Sequence, residues 1–303
     1  MKIVVCGAGA VGGYFGGRML EAGMDVTFLV REHRAQQLAS IGLVIRSPLG
    51  DASLWPKVAT SAEQIDGCDL VILAVKNYHL DDVMDSIRKL VGQGAKVLPL
   101  LNGVEHYDKL AYEFGREAVL GGLCHIIATL DNEGRIIHTN RLHHATFGWL
   151  EEEQEGFCRQ FYEAVEGVNS KWVMSQHVLS DIWNKYIFIT AFSGVTTASR
   201  LPIDEILANP ATTAVLRDAI TEMVRLSESQ GAPQPDGLVD FLLEQVTRQP
   251  KGSTSSMHQD LRKGLRLEVE SLQGAAVRRA DAAGVDVPVL RTLYGLIKPH
   301  ELP

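Results

Sequence analysis

The run Gly7-Ala8-Gly9-Ala10-Val11-Gly12 limits this chain more than any other feature. It follows the short apolar stretch 2–6 and opens a helical stretch over 11–22, which is the setting of a dinucleotide-binding G-x-G-x-x-G. In that setting Gly7 permits the tight turn, Gly9 lets a pyrophosphate approach the backbone, and Gly12 lets helix and sheet pack closely. The helix start then offers unpaired N–H groups to phosphate. A glycine-rich turn packed on a sheet is the plain alternative. The strand before it and the helix after it favour the nucleotide.

The second strand, 25–30, ends in Leu29-Val30-Arg31 with no acid. NAD sites usually carry a carboxylate there for the ribose hydroxyls. A carboxylate would repel a 2′-phosphate, whereas a guanidinium binds one bidentately. The expected cofactor is therefore NADPH, with Arg31 on the phosphate; a solvated strand-end arginine is the alternative. Lys76, past the apolar strand 69–74, is a second basic group at the crevice edge. Asn102-Gly103 follows the strand 96–101, where open α/β sheets place ligands, although Asn-Gly is also a common turn.

Strand and helical stretches alternate through the first half, with 80–91 and 153–167 as further helices. This predicts an N-terminal Rossmann fold, a doubly wound parallel sheet. A hairpin over 43–46 and 52–58 interrupts the pattern, and 118–123, 136–139 and 145–149 read as later strands. From about residue 173 the texture changes to long helical stretches at 181–198, 211–229, 237–247, 256–283 and 289–297, punctuated by prolines such as Pro202, Pro210 and Pro288. The predicted organisation is α/β: a cofactor domain over 1–173 and an all-helical substrate domain over 174–303. A formal charge of −8 speaks against nucleic acid or a membrane as partner. No run of 18 apolar residues is present, and the start MKIVVCGAGAVGG lacks the pattern of a signal peptide, so the expected location is cytoplasmic. The four cysteines are scattered and no HExxH occurs, so buried thiols and no metal are expected.

Reducing a ketone leaves negative charge on oxygen, which needs a donor and finally a proton; a lysine ammonium supplies both. Lys185 is a lone charge in the apolar segment Trp183–Thr190, where snorkelling to solvent is the competing explanation. Glu268 shares a 4-3-4 spacing with Leu261, Leu265 and Leu272, which puts an acid on an apolar helical stripe and calls for a partner. Ser256 is either a helix cap or a site residue.

Taken in order, GAGAVGG, Leu29-Val30-Arg31, Lys76, Leu101-Asn102-Gly103, Trp183-x-Lys185, Ser255-Ser256-Met257-x-x-Asp260, Glu268 and the closing Val287-Pro288 resemble the ketopantoate reductase family over nearly the whole chain. The resemblance implies NADPH-dependent reduction of 2-dehydropantoate to (R)-pantoate, on the way to pantothenate and coenzyme A. It also implies Lys185 as proton donor and Asn102 against cofactor and substrate. Ser256 would meet the substrate carboxylate, and Glu268 the cofactor or the substrate hydroxyl. The family's asparagines four and eight residues after the lysine are here Ile189 and Ser193, on the same helical face. An isoleucine cannot replace an amide's hydrogen bonds, and losing one changes discrimination strongly. Three readings follow: ketopantoate reductase proper; an NADPH-dependent reductase of another 2-oxo acid or ketone; and a non-catalytic NADPH-binding redox sensor, which gives Lys185, Asn102 and Glu268 no shared reason to be present. The interdomain cleft is the expected site for a small 2-oxo acid. The long C-terminal helices offer either a homodimer face or internal core.

Overall fold

A computed structural model describes residues 1–302, which divide into two compact units. Met1–Leu101 and His106–Val178 form the first; Asn102–Glu105 and the chain from Leu179 onward form the second.

The first unit begins with β1 (Lys2–Cys6), α1 (Ala10–Glu21), β2 (Asp25–Leu29) and α2 (Glu32–Ile41). Then come β3 (Leu43–Arg46), β4 (Ala52–Leu54), β5 (Lys57–Ala59), β6 (Leu70–Leu73), α3 (Met84–Val91) and β7 (Lys96–Pro99). It continues with α4 (Glu105–Phe114), β8 (Gly121–Leu130), β9 (Ile136–Gly148), α5 (Glu155–Ala164) and β10 (Lys171–Met174). One sheet is wholly parallel, in the order β5-β2-β1-β6-β7. Side chains alternate across it: Ile3 and Val5 join one core with Tyr14, Phe15 and Phe28, while Val4 and Cys6 join another with Ile87 and Leu90. A strand buried on both faces must be apolar throughout, which is why β6 reads Leu-Val-Ile-Leu.

A second, mixed sheet runs β10-β9-β3-β4, with β8 antiparallel to β9. This departs from the expected hairpin. Leu43–Ile45 pair with Leu54–Ala52, but β5 leaves for the parallel sheet beside β2. Pro56 sits at the departure and has no N–H to continue a ladder. The two strands expected at 136–139 and 145–149 are one, β9, while β8 starts at Gly121 after a 3-10 turn at Arg116–Ala118. β10 pairs in parallel with β9, so the chain stays in this sheet through Met174 and leaves the unit only at Val178. All four cysteines are buried, and burial pushes the Cys6 and Cys68 thiols up to about 12.

The second unit holds α6 (Val178–Ser199), α7 (Ile203–Ala208), α8 (Pro210–Ser229), α9 (Leu238–Thr247), α10 (Ser256–Arg262), α11 (Ala275–Ala283) and α12 (Pro288–Ile297). The single helix expected over 256–283 is broken. Gly264 adopts φ +63°, with Gly264 N–H donating to the Leu261 carbonyl and Leu265 N–H to that of Asp260. That is a Schellman end, which stops α10. A π turn over Glu270–Gly274 then leads into α11. Among the described residues no helix is long and apolar enough to cross a membrane.

Candidate active site

In the first unit the glycine turn follows β1, and Gly7 takes φ +98°. A Cβ at Gly12 would lie 2.0 Å from the Gly7 carbonyl oxygen and 2.9 Å from Ala74 Cβ, whereas a Cβ at Gly9 would meet nothing within 4 Å. The turn is thus closed on the sheet side and open at Gly9, the shape a pyrophosphate needs. Ala10 and Val11 begin α1 and Ala8 is buried beneath them. Lys76 lies just past β6, two residues beyond Ala74.

Arg31 stands exposed at the end of β2 and opens α2. Its Nη2 donates to Asp82 Oδ2 at 2.6 Å and lies 2.8 Å from His79 Nδ1. An exposed pair of this kind contributes about 0–1 kcal/mol, so a phosphate can compete for the guanidinium. The sequence reading left Arg34 out. Arg34 donates from Nε to the Ala8 carbonyl at 3.0 Å and from Nη1 to that of Gly134 at 2.8 Å, while its Nη2 is buried without a partner. Burial lowers the Arg34 pKa. A second guanidinium, anchored on the glycine turn with an unsatisfied donor, adds to the fit for a phosphorylated dinucleotide. Its one sequence signal is the i,i+3 spacing from Arg31 at a helix start.

The second unit brings Lys185 and Asn102 together. Lys185, half-buried on α6, donates from Nζ to Asn102 Oδ1 at 2.9 Å, so its head is held by an amide. An ammonium has three donors, and the remaining ones can serve a carbonyl oxygen. Asn102 is placed by its neighbour. Gly103 has φ +88°, and a Cβ there would lie 2.6 Å from the Ser271 carbonyl oxygen. The segment therefore lies directly on the π turn, and Glu105 takes two bonds from Arg278 of α11, at 3.0 and 2.7 Å. Tyr186, next to the lysine, donates to the Leu272 carbonyl at 2.7 Å and ties α6 to the same turn. π turns interrupt a regular helix where side chains must be re-aimed, frequently at functional sites.

Glu268 is buried, though not by the expected stripe: Leu265 is 50 % exposed beyond the end of α10, and Glu268 lies in the irregular link before the π turn. The helix cap also moves by one residue. Ser255 accepts the His258 N–H, and Ser256 is exposed at the first position of α10. Ile189 is half-buried one turn beyond Lys185. Ser193 is buried one turn further, its hydroxyl accepting from Gln273 Nε2 at 3.0 Å. Gln273 is fully buried and also donates to the Thr190 carbonyl at 2.8 Å. It too was missed, although a glutamine in line with Val269, Leu272 and Ala276 was the available signal.

A glycine turn open at Gly9, two arginines at the start of α2, an amide-held ammonium and a buried acid suit hydride transfer at carbonyl carbon, and the class is that of NADP-dependent oxidoreductases acting on CH–OH groups. Residues 3–152 match the family described as ketopantoate reductase PanE/ApbA, and residues 177–301 match its C-terminal part. The chain belongs to the ketopantoate reductase family. It is 38 % identical to the uncharacterized oxidoreductase YkpB of Bacillus subtilis (strain 168), over 99 % of both chains. It is 30 % identical to the 2-dehydropantoate 2-reductase of Pyrococcus abyssi (strain GE5 / Orsay), over 99 % of this chain and 98 % of that one. The PanE/ApbA family ketopantoate reductase of Ralstonia eutropha JMP134 superposes with a TM-score of 0.87 at 27 % identity, over 99 % and 98 % of the two chains. A D-mandelate dehydrogenase, solved with NADH and anilino(oxo)acetate, shares the fold at 21 % identity, TM-score 0.88 and the same two coverages.

Proposed function

We propose that this chain reduces 2-dehydropantoate to (R)-pantoate with NADPH, in the cytoplasm and as a step of pantothenate synthesis. The observation that carries the reading is the Lys185–Asn102 bond, which holds an ammonium at the edge of an apolar helix. The cofactor, when bound, supplies the hydride that goes to the carbonyl carbon. Lys185 neutralises the growing alkoxide and gives up its proton, ending as a neutral amine that solvent reprotonates. Asn102 keeps the ammonium in register by accepting one of its N–H bonds. Glu268 binds the cofactor or the substrate hydroxyl, and Ser256 accommodates the carboxylate at the exposed start of α10. Arg31 reads the 2′-phosphate, with the glycine turn on the pyrophosphate and Lys76 beside it.

A second reading, reduction of another 2-oxo acid, is favoured by one specific observation. Ile189 offers no hydrogen bond, and the Ser193 hydroxyl is already engaged by Gln273. Oxidation of NADPH by the purified protein across a panel of 2-oxo acids tests both. Highest kcat/KM on 2-dehydropantoate is expected; a preference for a different acid moves the assignment to the second reading, and no turnover on any member removes both.

A further inference from the structure

α6 ends at Ser199, and the next residue, Arg200, is the only non-glycine among the described residues with positive φ, at 59°. Helices that end this way usually place glycine there, because a Cβ is strained in that conformation. An arginine at such a point carries strain that a glycine would not.

Arg200 lines a cavity of about 610 Å³ whose lining comes entirely from the second unit. Arg262, His258 and Thr254 supply its other polar walls, with Pro202 and Leu261 as apolar ones. Among the described residues neither guanidinium is paired with a carboxylate, and Arg200 Nη2 approaches only His300 Nε2, at 3.4 Å. Asp204, near Pro202 in sequence, accepts the Gly252 N–H at 2.8 Å. His258 is 3 % exposed, and its Nδ1 is buried with no hydrogen-bond partner. Burial and then the Arg262 charge lower its pKa, so the ring is neutral and carries one N–H. Thr254 Oγ1 accepts from Gln259 Nε2 at 2.6 Å, which leaves its own O–H to donate.

Two exposed guanidiniums without a carboxylate partner, a hydroxyl donor and a buried imidazole with one unsatisfied nitrogen thus line one apolar-backed hollow, on a protein whose net charge is −8. Donors with no matching acceptor in a concave wall are what an anion requires. None of these residues takes part in the proposed reduction, whose substrate residue on this helix, Ser256, is not in the lining. We propose that the cavity is a second ligand site, for a small organic phosphate monoester. Its phosphate sits between Arg200 and Arg262 within reach of His258 and Thr254, and its carbon portion lies on Pro202 and Leu261.

The test uses the full chain with 15N-labelled histidine, the His258 ring signals being identified by their loss in His258→Gln. Inorganic phosphate and phenyl phosphate are titrated at constant pH and ionic strength. Saturable movement of the His258 signals is expected with both, at lower concentration for phenyl phosphate. Arg200→Gly removes a guanidinium while relieving the strained backbone, so that variant should fold at least as well as the parent. Arg200→Gly and Arg262→Gln should each weaken binding by about tenfold or more, the size of a lost charge-assisted contact. Arg225→Gln, at an exposed position of α8, should leave it unchanged. Absence of a saturable response at His258, or a response that survives Arg200→Gly undiminished, overturns the proposal. Because binding is read without turnover, neither result depends on the substrate of the reductase site.

Discussion

At the scale of single residues, Lys185 shows how a charge is kept in an apolar helix. Trp183 and Tyr186, close to it in sequence, are buried, while Lys185 is half-buried with its head fixed by one amide oxygen. Lys185→Ala should therefore lower kcat by about 10²–10⁴-fold, as loss of a general acid does. NADPH affinity should change little, which fluorescence titration would check; turnover like that of the parent would take Lys185 out of the mechanism. Arg31→Ala should weaken NADPH by about tenfold or more relative to NADH, the effect of losing charge-assisted bonds to phosphate. Equal loss of both cofactors would mean the arginine acts on something they share. Lys185, Asn102 and Arg31 stand out in the sequence as candidates because each lies at a fixed offset from a strand end or an apolar run. Arg34 and Gln273 were not, because their importance lies in partners 26 and 80 or more residues away.

At the scale of elements, the π turn organises the surroundings of Lys185 and Asn102. Gly103 rests on the Ser271 carbonyl, Tyr186 on that of Leu272, and Gln273 reaches back to Ser193. Gly103→Ala should cost about 1–2 kcal/mol from the left-handed backbone alone, before the contact at 2.6 Å is counted. It should also lower kcat, because Asn102 moves with it; a variant with parental stability and rate would show that the segment is not seated as described. Helical periodicity ran straight through this region, and the break was invisible to it. Gly264 was the one local cue, and what places Glu268 inside is the irregular link that follows, not a stripe. β5 makes the same point: its pattern reads as the continuation of a hairpin, and the choice of the parallel sheet is made by pairing with β2.

For the whole molecule, charge ties the second unit together. Burial alone would raise the Glu270 carboxyl, but hydrogen bonds from Lys298, Tyr294 and Arg278 together outweigh it and hold it at about 2, against an ordinary 4.5. A carboxyl with a depressed folded-state pKa stabilises fully above its unfolded value and loses that contribution as pH falls through the folded one. Thermal stability should thus decline between pH of about 4.5 and about 2. Glu270→Gln should be less stable near neutrality and flatter across that window; an unchanged slope in calorimetry would assign the acid sensitivity elsewhere. The division into a sheet-based and a helical part was plain from the change in texture near residue 173, but its exact place was not. β10 belongs to the sheet through a parallel partner whose nearest paired residue is 27 positions earlier.

The shielded thiols have a practical consequence. At neutral pH almost none of Cys6 is thiolate, and no reagent can reach it while β1 stays in place. Iodoacetamide can then mark this chain only during brief excursions in which strands part, so the rate of carbamidomethylation at Cys6 becomes a clock for breathing of the sheet that carries the glycine turn. A nucleotide that clasps that turn should slow the clock, giving a measure of cofactor engagement that needs no substrate at all.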